Sequence, residues 1–131
     1  MRNIDVTPRP LAELASHLSD AATKRLDAVV DAGRRLGQGR TIFNITPSAA
    51  ADSGVAEAVE TITALALDAG IDTRWYQLDM PAPFRVLSER LDKWLHGYDG
   101  DGGVLRDKER DLYEHVLSSN AENLVDEISN G

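Results

Sequence analysis

The chain has 131 residues and a mass of 14.3 kDa, the size of one globular domain. It contains no cysteine, which excludes disulfides, thiolate metal sites and cysteine nucleophiles. A formal net charge of −8 argues against a nucleic-acid or anionic-membrane partner. No apolar run approaches the ~20 residues of a membrane span, and the N-terminus has no apolar signal-peptide core. We therefore expect a cytoplasmic protein with no nucleic-acid or membrane partner.

The first forty residues predict an arm followed by a helix. Residues 1–10 contain two prolines and no periodicity, so we interpret them as an N-terminal arm, with residues 11–131 as a single module. From Leu11 to Leu36 apolar residues recur at steps of three and four, which predicts one helix. Gly37 to Gly39 should end that helix, because glycine adopts the left-handed conformation of a C-cap without a Cβ clash.

The next segment predicts a strand, a helix and a second strand. Residues 41–45 are short, β-branched and aromatic, which is typical of a buried strand. Apolar residues from Val55 to Ala66 repeat at helical spacing, and Gly70 should end this helix. Residues 71–78 form the second predicted strand. Two strands joined by a helix are nearly always parallel and right-handed.

Two further helices are predicted after Pro81 and Pro83. One begins near Phe84, and the other follows Asp107. On the last helix, the predicted apolar face consists of Tyr113, Leu117, Ala121, Leu124 and Ile128. Asn120 and Asn123 lie near that face, and because buried amides need partners we expect them to bond a neighbouring loop.

The predicted fold class is α/β, with a partial Rossmann-like β-α-β unit of two parallel strands and about four helices. A two-stranded parallel sheet has open edges and is weak by itself. Either a partner chain completes the sheet, or the module is part of a larger domain, or the helices bundle around the strands within a monomer.

The loop after the first strand is the predicted ligand site, since open α/β sheets bind ligands beyond the carboxyl ends of their strands. A plain capped turn is the alternative. The chain has neither GxGxxG nor a P-loop motif, and His17, His96 and His115 lie on different predicted helices without metal-ligand spacing. We predict no cofactor and no metal site.

Two other features have a structural and a functional interpretation. The stretch YDGDGG, with Asp99 and Asp101, resembles a calcium loop but lacks the remaining EF-hand ligands, so a flexible solvated loop is favoured. Trp75 could stack on a sugar ring, although core packing is the default for a strand tryptophan.

Motifs across residues 26–125 carry a family resemblance. SGVAE at residues 53–57, DAGI at 68–71 and RWY at 74–76, followed by Pro81 and Phe84, resemble the N-terminal region of trehalose synthase-type retaining glycosyltransferases. That class has two Rossmann-like halves. This chain resembles a truncated version, with Asp52 and Ser53 replacing two glycines of the loop.

The resemblance implies an acceptor-side sugar module for glucose or trehalose. The implied substrate-binding residues are Ser53, Gly54, Val55, Glu57, Trp75 and Asp79. In such enzymes the other half binds the nucleotide and supplies catalytic groups, so we expect no catalysis by this module alone, and the catalytic residues stay unassigned. The alternative function is a non-catalytic scaffold for dimerisation or partner binding, and we expect a homodimer or a partner chain.

Overall fold

The computed structural model describes residues 1–48 and 54–130. Its elements in chain order are β1 (Arg2–Ile4), α1 (Leu11–Ala15), α2 (Asp20–Gly37), β2 (Ile42–Thr46), α3 (Gly54–Asp68), β3 (Thr73–Gln77), α4 (Ala82–Leu95) and α5 (Asp107–Asn130). The chain divides into two compact units. We call residues 2–77 the sheet unit and the chain from Leu78 onward the helical unit.

The sheet unit contains the predicted β-α-β arrangement. β3 is the central strand, and β2 pairs with it in parallel, with Ile42 opposite Thr73. The α/β fold class is therefore confirmed. β1 pairs with the other edge of β3 in antiparallel orientation, with Arg2 opposite Gln77. This third strand lies within the predicted arm. The sequence did not predict it because three residues are too few to show an alternating pattern, and only the pairing with β3 makes them a strand.

The predicted helix from Leu11 is divided into α1 and α2. Ser19 caps α2, since its hydroxyl accepts a hydrogen bond from the Ala22 amide at 3.4 Å. The preceding helix is tied to α3 instead, because the Leu11 amide donates to the Asp68 carboxylate at 2.8 Å. The apolar periodicity continues from α1 into α2, so the sequence pattern did not reveal that Ser19 begins a new helix. The end of α2 at Gly37 is as predicted.

The end of α3 is fixed by backbone geometry. Gly70 has a φ of 74°, and its amide donates to the Leu67 carbonyl at 3.0 Å. The Ile71 amide donates to the Ala66 carbonyl at 3.0 Å. These two bonds form the Schellman arrangement that only a left-handed residue allows, which confirms Gly70 as the stop signal.

The two faces of β2 have different chemistry. Toward α3, the Asn44 side-chain amide donates to the hydroxyls of Thr63 at 3.2 Å and Thr73 at 3.0 Å. On the opposite face, the Phe43 ring stacks on the Tyr76 ring with centroids 5.9 Å apart. The buried polar groups between α3 and the sheet are thus hydrogen-bonded, as burial requires.

The helical unit consists of α4, α5 and the loop between them. The Phe84 ring of α4 stacks on the Tyr113 ring of α5, with centroids 5.6 Å apart. The predicted apolar face of α5 is only partly right: Tyr113 makes this contact and Leu124 is half-buried, but Leu117 and Ile128 are exposed, whereas Val116 and Asn120 are buried. The buried stripe lies one residue before the predicted one. The prediction missed it because it counted apolar residues only, and the buried stripe includes the polar Asn120.

None of the helices within residues 1–48 and 54–130 combines the length and apolar character needed to cross a membrane.

Candidate functional site

The predicted loop residues lie partly at the start of α3. Ser53 lies outside the described residues. Gly54 is the first residue of α3, and Val55 and Glu57 follow in its first turn with exposed side chains. A Cβ at Gly54 would meet open space. These three positions therefore present solvent-accessible groups on the side of the sheet unit where β2 ends.

Trp75 is part of the core of the sheet unit. It is 3% exposed, and its indole Nε1 donates to the Thr46 hydroxyl at 2.9 Å. That hydroxyl in turn donates to the Ser48 carbonyl at 2.8 Å. The indole therefore anchors the end of β2 and the start of the following loop. Trp75 therefore packs in the core, and its buried ring has no free face on which a sugar could stack.

Asp79 is held in the helical unit by Asn120 of α5. The Asp79 amide donates to Asn120 Oδ1 at 2.8 Å, and Asn120 Nδ2 donates to the Asp79 carbonyl at 3.0 Å. The same Nδ2 donates to the Val116 carbonyl at 2.8 Å. The predicted bond from Asn120 to a neighbouring loop is thus confirmed. These bonds leave the Asp79 carboxylate exposed beside α5.

A small pocket of about 180 Å³ opens beside Asp79, with polar side chains next to the apolar Pro81, Leu112 and Val116. Its wall on α5 carries His115, Ser119, Asn120 and Asn123. Because residues four apart share a helix face, His115, Ser119 and Asn123 form one stripe directed to the same side. Sequence reasoning considered His115 only as a metal ligand, although the spacing of 115, 119 and 123 was a readable signal for a polar stripe.

The chemistry of this pocket suits a small polyhydroxylated ligand. The Asp79 carboxylate accepts hydrogen bonds, the Asn123 amide both donates and accepts, and the Ser119 hydroxyl does both. Drug-sized ligands occupy pockets of at least about 300 Å³, so this pocket of about 180 Å³ is matched to a smaller molecule. No group of three or more metal-ligating side chains occurs in the part of the chain that the structure describes.

A second cavity, an open groove of about 550 Å³, runs between α4 and α5. Its floor is apolar and its rim is charged. Its lining includes Leu87, Leu91, Leu105, Tyr113, Arg106 and Arg110. None of these residues belongs to the predicted site, and Asp107 and Glu109 complete the charged rim.

The loop between α4 and α5 is held by Arg90. The Arg90 guanidinium donates to both carboxylate oxygens of Asp101, at 2.7 and 2.9 Å, and to the Val104 carbonyl at 3.0 Å. The Gly103 amide also donates to Asp101, at 3.0 Å. These bonds, with that to Arg90 the largest cause, lower the pKa of Asp101 from 3.8 to about 2. The Asp101 carboxylate is thus engaged by a cation of the chain itself.

Comparison with known proteins bears directly on the family. Residues 45–130 match the family model of the trehalose synthase N-terminal domain. No curated protein sequence matches the chain significantly. The matched segment runs from the end of β2 through α5 and includes both Asp79 and its pocket. The chain therefore belongs to the family of trehalose synthase N-terminal domains, and it is a glycosyltransferase-like α/β module.

Proposed function

We propose that this chain is a sugar-acceptor-side module and that it does not catalyse glycosyl transfer alone. The observation that carries this proposal is the pocket beside Asp79, where a carboxylate, an amide and a hydroxyl converge within about 180 Å³. Such groups recognise the vicinal hydroxyls of a pyranose by donating and accepting hydrogen bonds. The pocket lies within the matched family segment, which supports glucose or trehalose as the ligand.

The rigidity of the pocket supports the same proposal. The Asp79 backbone is fixed by two hydrogen bonds to Asn120, a side chain that is only 5% exposed. A recognition group whose backbone is held in advance loses little conformational entropy when the ligand binds. The fixed backbone of Asp79 therefore supports a site whose position is set before the sugar binds.

The absence of catalysis by the module alone follows from the chemistry of transfer. Stabilising a glycosyl-transfer transition state requires groups that hold donor and acceptor together from both sides of a cleft. The proposed pocket contacts the acceptor only. We also propose that the module is cytoplasmic. Its lack of cysteine is consistent with a reducing compartment.

Calorimetric titration with glucose, trehalose and the glucose esters of UDP and ADP tests the proposal. We expect glucose or trehalose to bind, Asp79→Ala to abolish binding, and Glu122→Ala, an exposed acidic position on α5, to leave it unchanged. Incubation with nucleotide sugar and glucose should yield no disaccharide. Binding of the nucleotide sugars without the free sugars, or binding that Asp79→Ala does not weaken, would contradict an acceptor site.

A scaffold for assembly is the second candidate function. It is favoured by the outer edge of β2, which no described strand covers and where Ile42 and Ile45 are 47% and 42% exposed.

A further inference from the structure

The outer edge of β2 has unused backbone hydrogen-bonding groups. In the parallel pair the Ile42 amide donates to the Asp72 carbonyl at 2.9 Å, so Ile42, Asn44 and Thr46 face β3. By alternation, the N–H and C=O groups of Phe43 and Ile45 point away from β3. Within residues 1–48 and 54–130 no hydrogen bond is seen to these four groups. They form a template for one more strand.

Within its own residues, β2 has no charge, proline or bulge that would protect its edge against strand pairing. Natural edge strands are blunted by charged residues, prolines or bulges. Residues 41–46 read TIFNIT and contain neither a charge nor a proline. All five residues of β2 pair regularly with β3, without a bulge. An uncharged, regularly paired edge of this kind is a ready template for another strand.

We infer that the occupant of this edge is β2 of a second copy, paired in antiparallel orientation about a two-fold axis at Asn44. This register sets Phe43 of each copy opposite Ile45 of the other, so the free groups of both strands meet in two doubly hydrogen-bonded pairs. Phe43 and Ile45 share the face opposite α3, and aromatic–β-branched cross-strand pairs stabilise a sheet. The strand is thus complementary to itself.

The position of the flanking cation and the sheet size fit this arrangement. Arg40 lies opposite Ser48 of the second copy in this register, so the flanking cations do not face each other. The two three-stranded sheets become one continuous sheet of six strands, within the usual range of about 4–6 strands. The net charge of −8 on each copy opposes association, so the dimer should weaken at low ionic strength.

Sedimentation equilibrium tests this inference, which develops the scaffold function and is independent of the sugar pocket. We expect the chain to sediment at twice 14.3 kDa. Ile45→Lys should give a monomer with unchanged circular dichroism, since it charges the edge. Val29→Lys, at an apolar α2 position that is 68% exposed, should stay dimeric. A monomeric wild-type chain, or an Ile45→Lys variant that still dimerises, would overturn the inference.

Cysteine cross-linking tests the register, because the chain has no cysteine of its own. Directly opposed residues of a non-hydrogen-bonded antiparallel pair have Cα atoms about 4.5 Å apart, within the range of a disulfide. Asn44→Cys should therefore oxidise to a covalent dimer, whereas Ile42→Cys on the same edge should not. Cross-linking through Ile42→Cys alone would refute the Asn44-centred pairing. Sugar binding by Ile45→Lys should be unchanged, so failure of this inference and of the acceptor proposal can be told apart.

Discussion

At the scale of single residues, Asn120 is the side chain that positions Asp79 in the candidate site. It is buried on α5 and uses its one amide group to bond both backbone polar groups of Asp79. The sequence indicated that a buried amide would need a partner, and the structure confirms it for Asn120 and leaves Asn123 exposed. Which loop would supply that partner could not be read, since Asp79 and Asn120 are 41 positions apart.

Replacing Asn120 should destabilise the protein more than replacing its exposed neighbour. Asn120→Ala leaves the Asp79 amide and carbonyl without their partner, at a cost of about 1–3 kcal/mol. Asn123→Ala removes an exposed amide and should change the unfolding free energy by less than about 0.5 kcal/mol. Urea denaturation followed by circular dichroism measures both values. Equal losses of unfolding free energy in the two variants would show that the hydrogen bonds between Asn120 and Asp79 do not stabilise the protein.

At the scale of elements, the loop between α4 and α5 shows how tertiary contacts add to a sequence signal. The glycines and aspartates of YDGDGG predicted a flexible solvated loop. The structure confirms that the loop is solvent-exposed, and it adds a tether to α4 through the bidentate pair of Arg90 and Asp101 and the bond from Arg90 to the Val104 carbonyl. A cation eleven positions away is invisible to local composition. The aspartate of this calcium-like loop, Asp101, is therefore bound by Arg90, in a contact that we call the arginine clamp.

A side chain at Gly103 should disturb the contact between Arg90 and Asp101. A Cβ at Gly103 would overlap the Arg90 guanidinium, so Gly103→Ala should displace that group from Asp101. We expect a lower Tm for Gly103→Ala, and only a small further change when the same substitution is made in Arg90→Ala. A double-mutant cycle by thermal denaturation measures this coupling. Additive losses would contradict a shared contact.

The same clamp should make stability depend on acidic pH. The pKa of Asp101 is about 2 in the folded chain against an ordinary value of 3.8, chiefly because of its hydrogen bonds with Arg90. A lowered folded pKa stabilises the protein above the unfolded value, and this stabilisation is lost as pH falls from about 4 to about 2. The difference in Tm between wild type and Asp101→Asn should therefore shrink over that range. A difference that stays constant would exclude this titration as its source.

At the scale of the whole molecule, the sequence predicted the α/β class, the parallel strands and the family, because glycine stops and the SGVAE and RWY motifs are local signals. It did not predict β1, the division at Ser19 or the buried stripe of α5. β1 and the buried stripe depend on contacts with distant elements, whereas the cap at Ser19 is a local contact that the continuous apolar periodicity concealed. Of the candidate site, Asp79 was predicted, whereas His115 and Ser119 were not, since only the folded α5 places them beside it.

The most direct test of the acceptor-site account is an amide NMR titration of the chain with glucose and with trehalose. Shift changes with one of these sugars should cluster at Asp79, His115, Ser119 and Asn123, and Asp79→Ala should remove them. Changes confined to the groove between α4 and α5, or no change with either sugar, would contradict it.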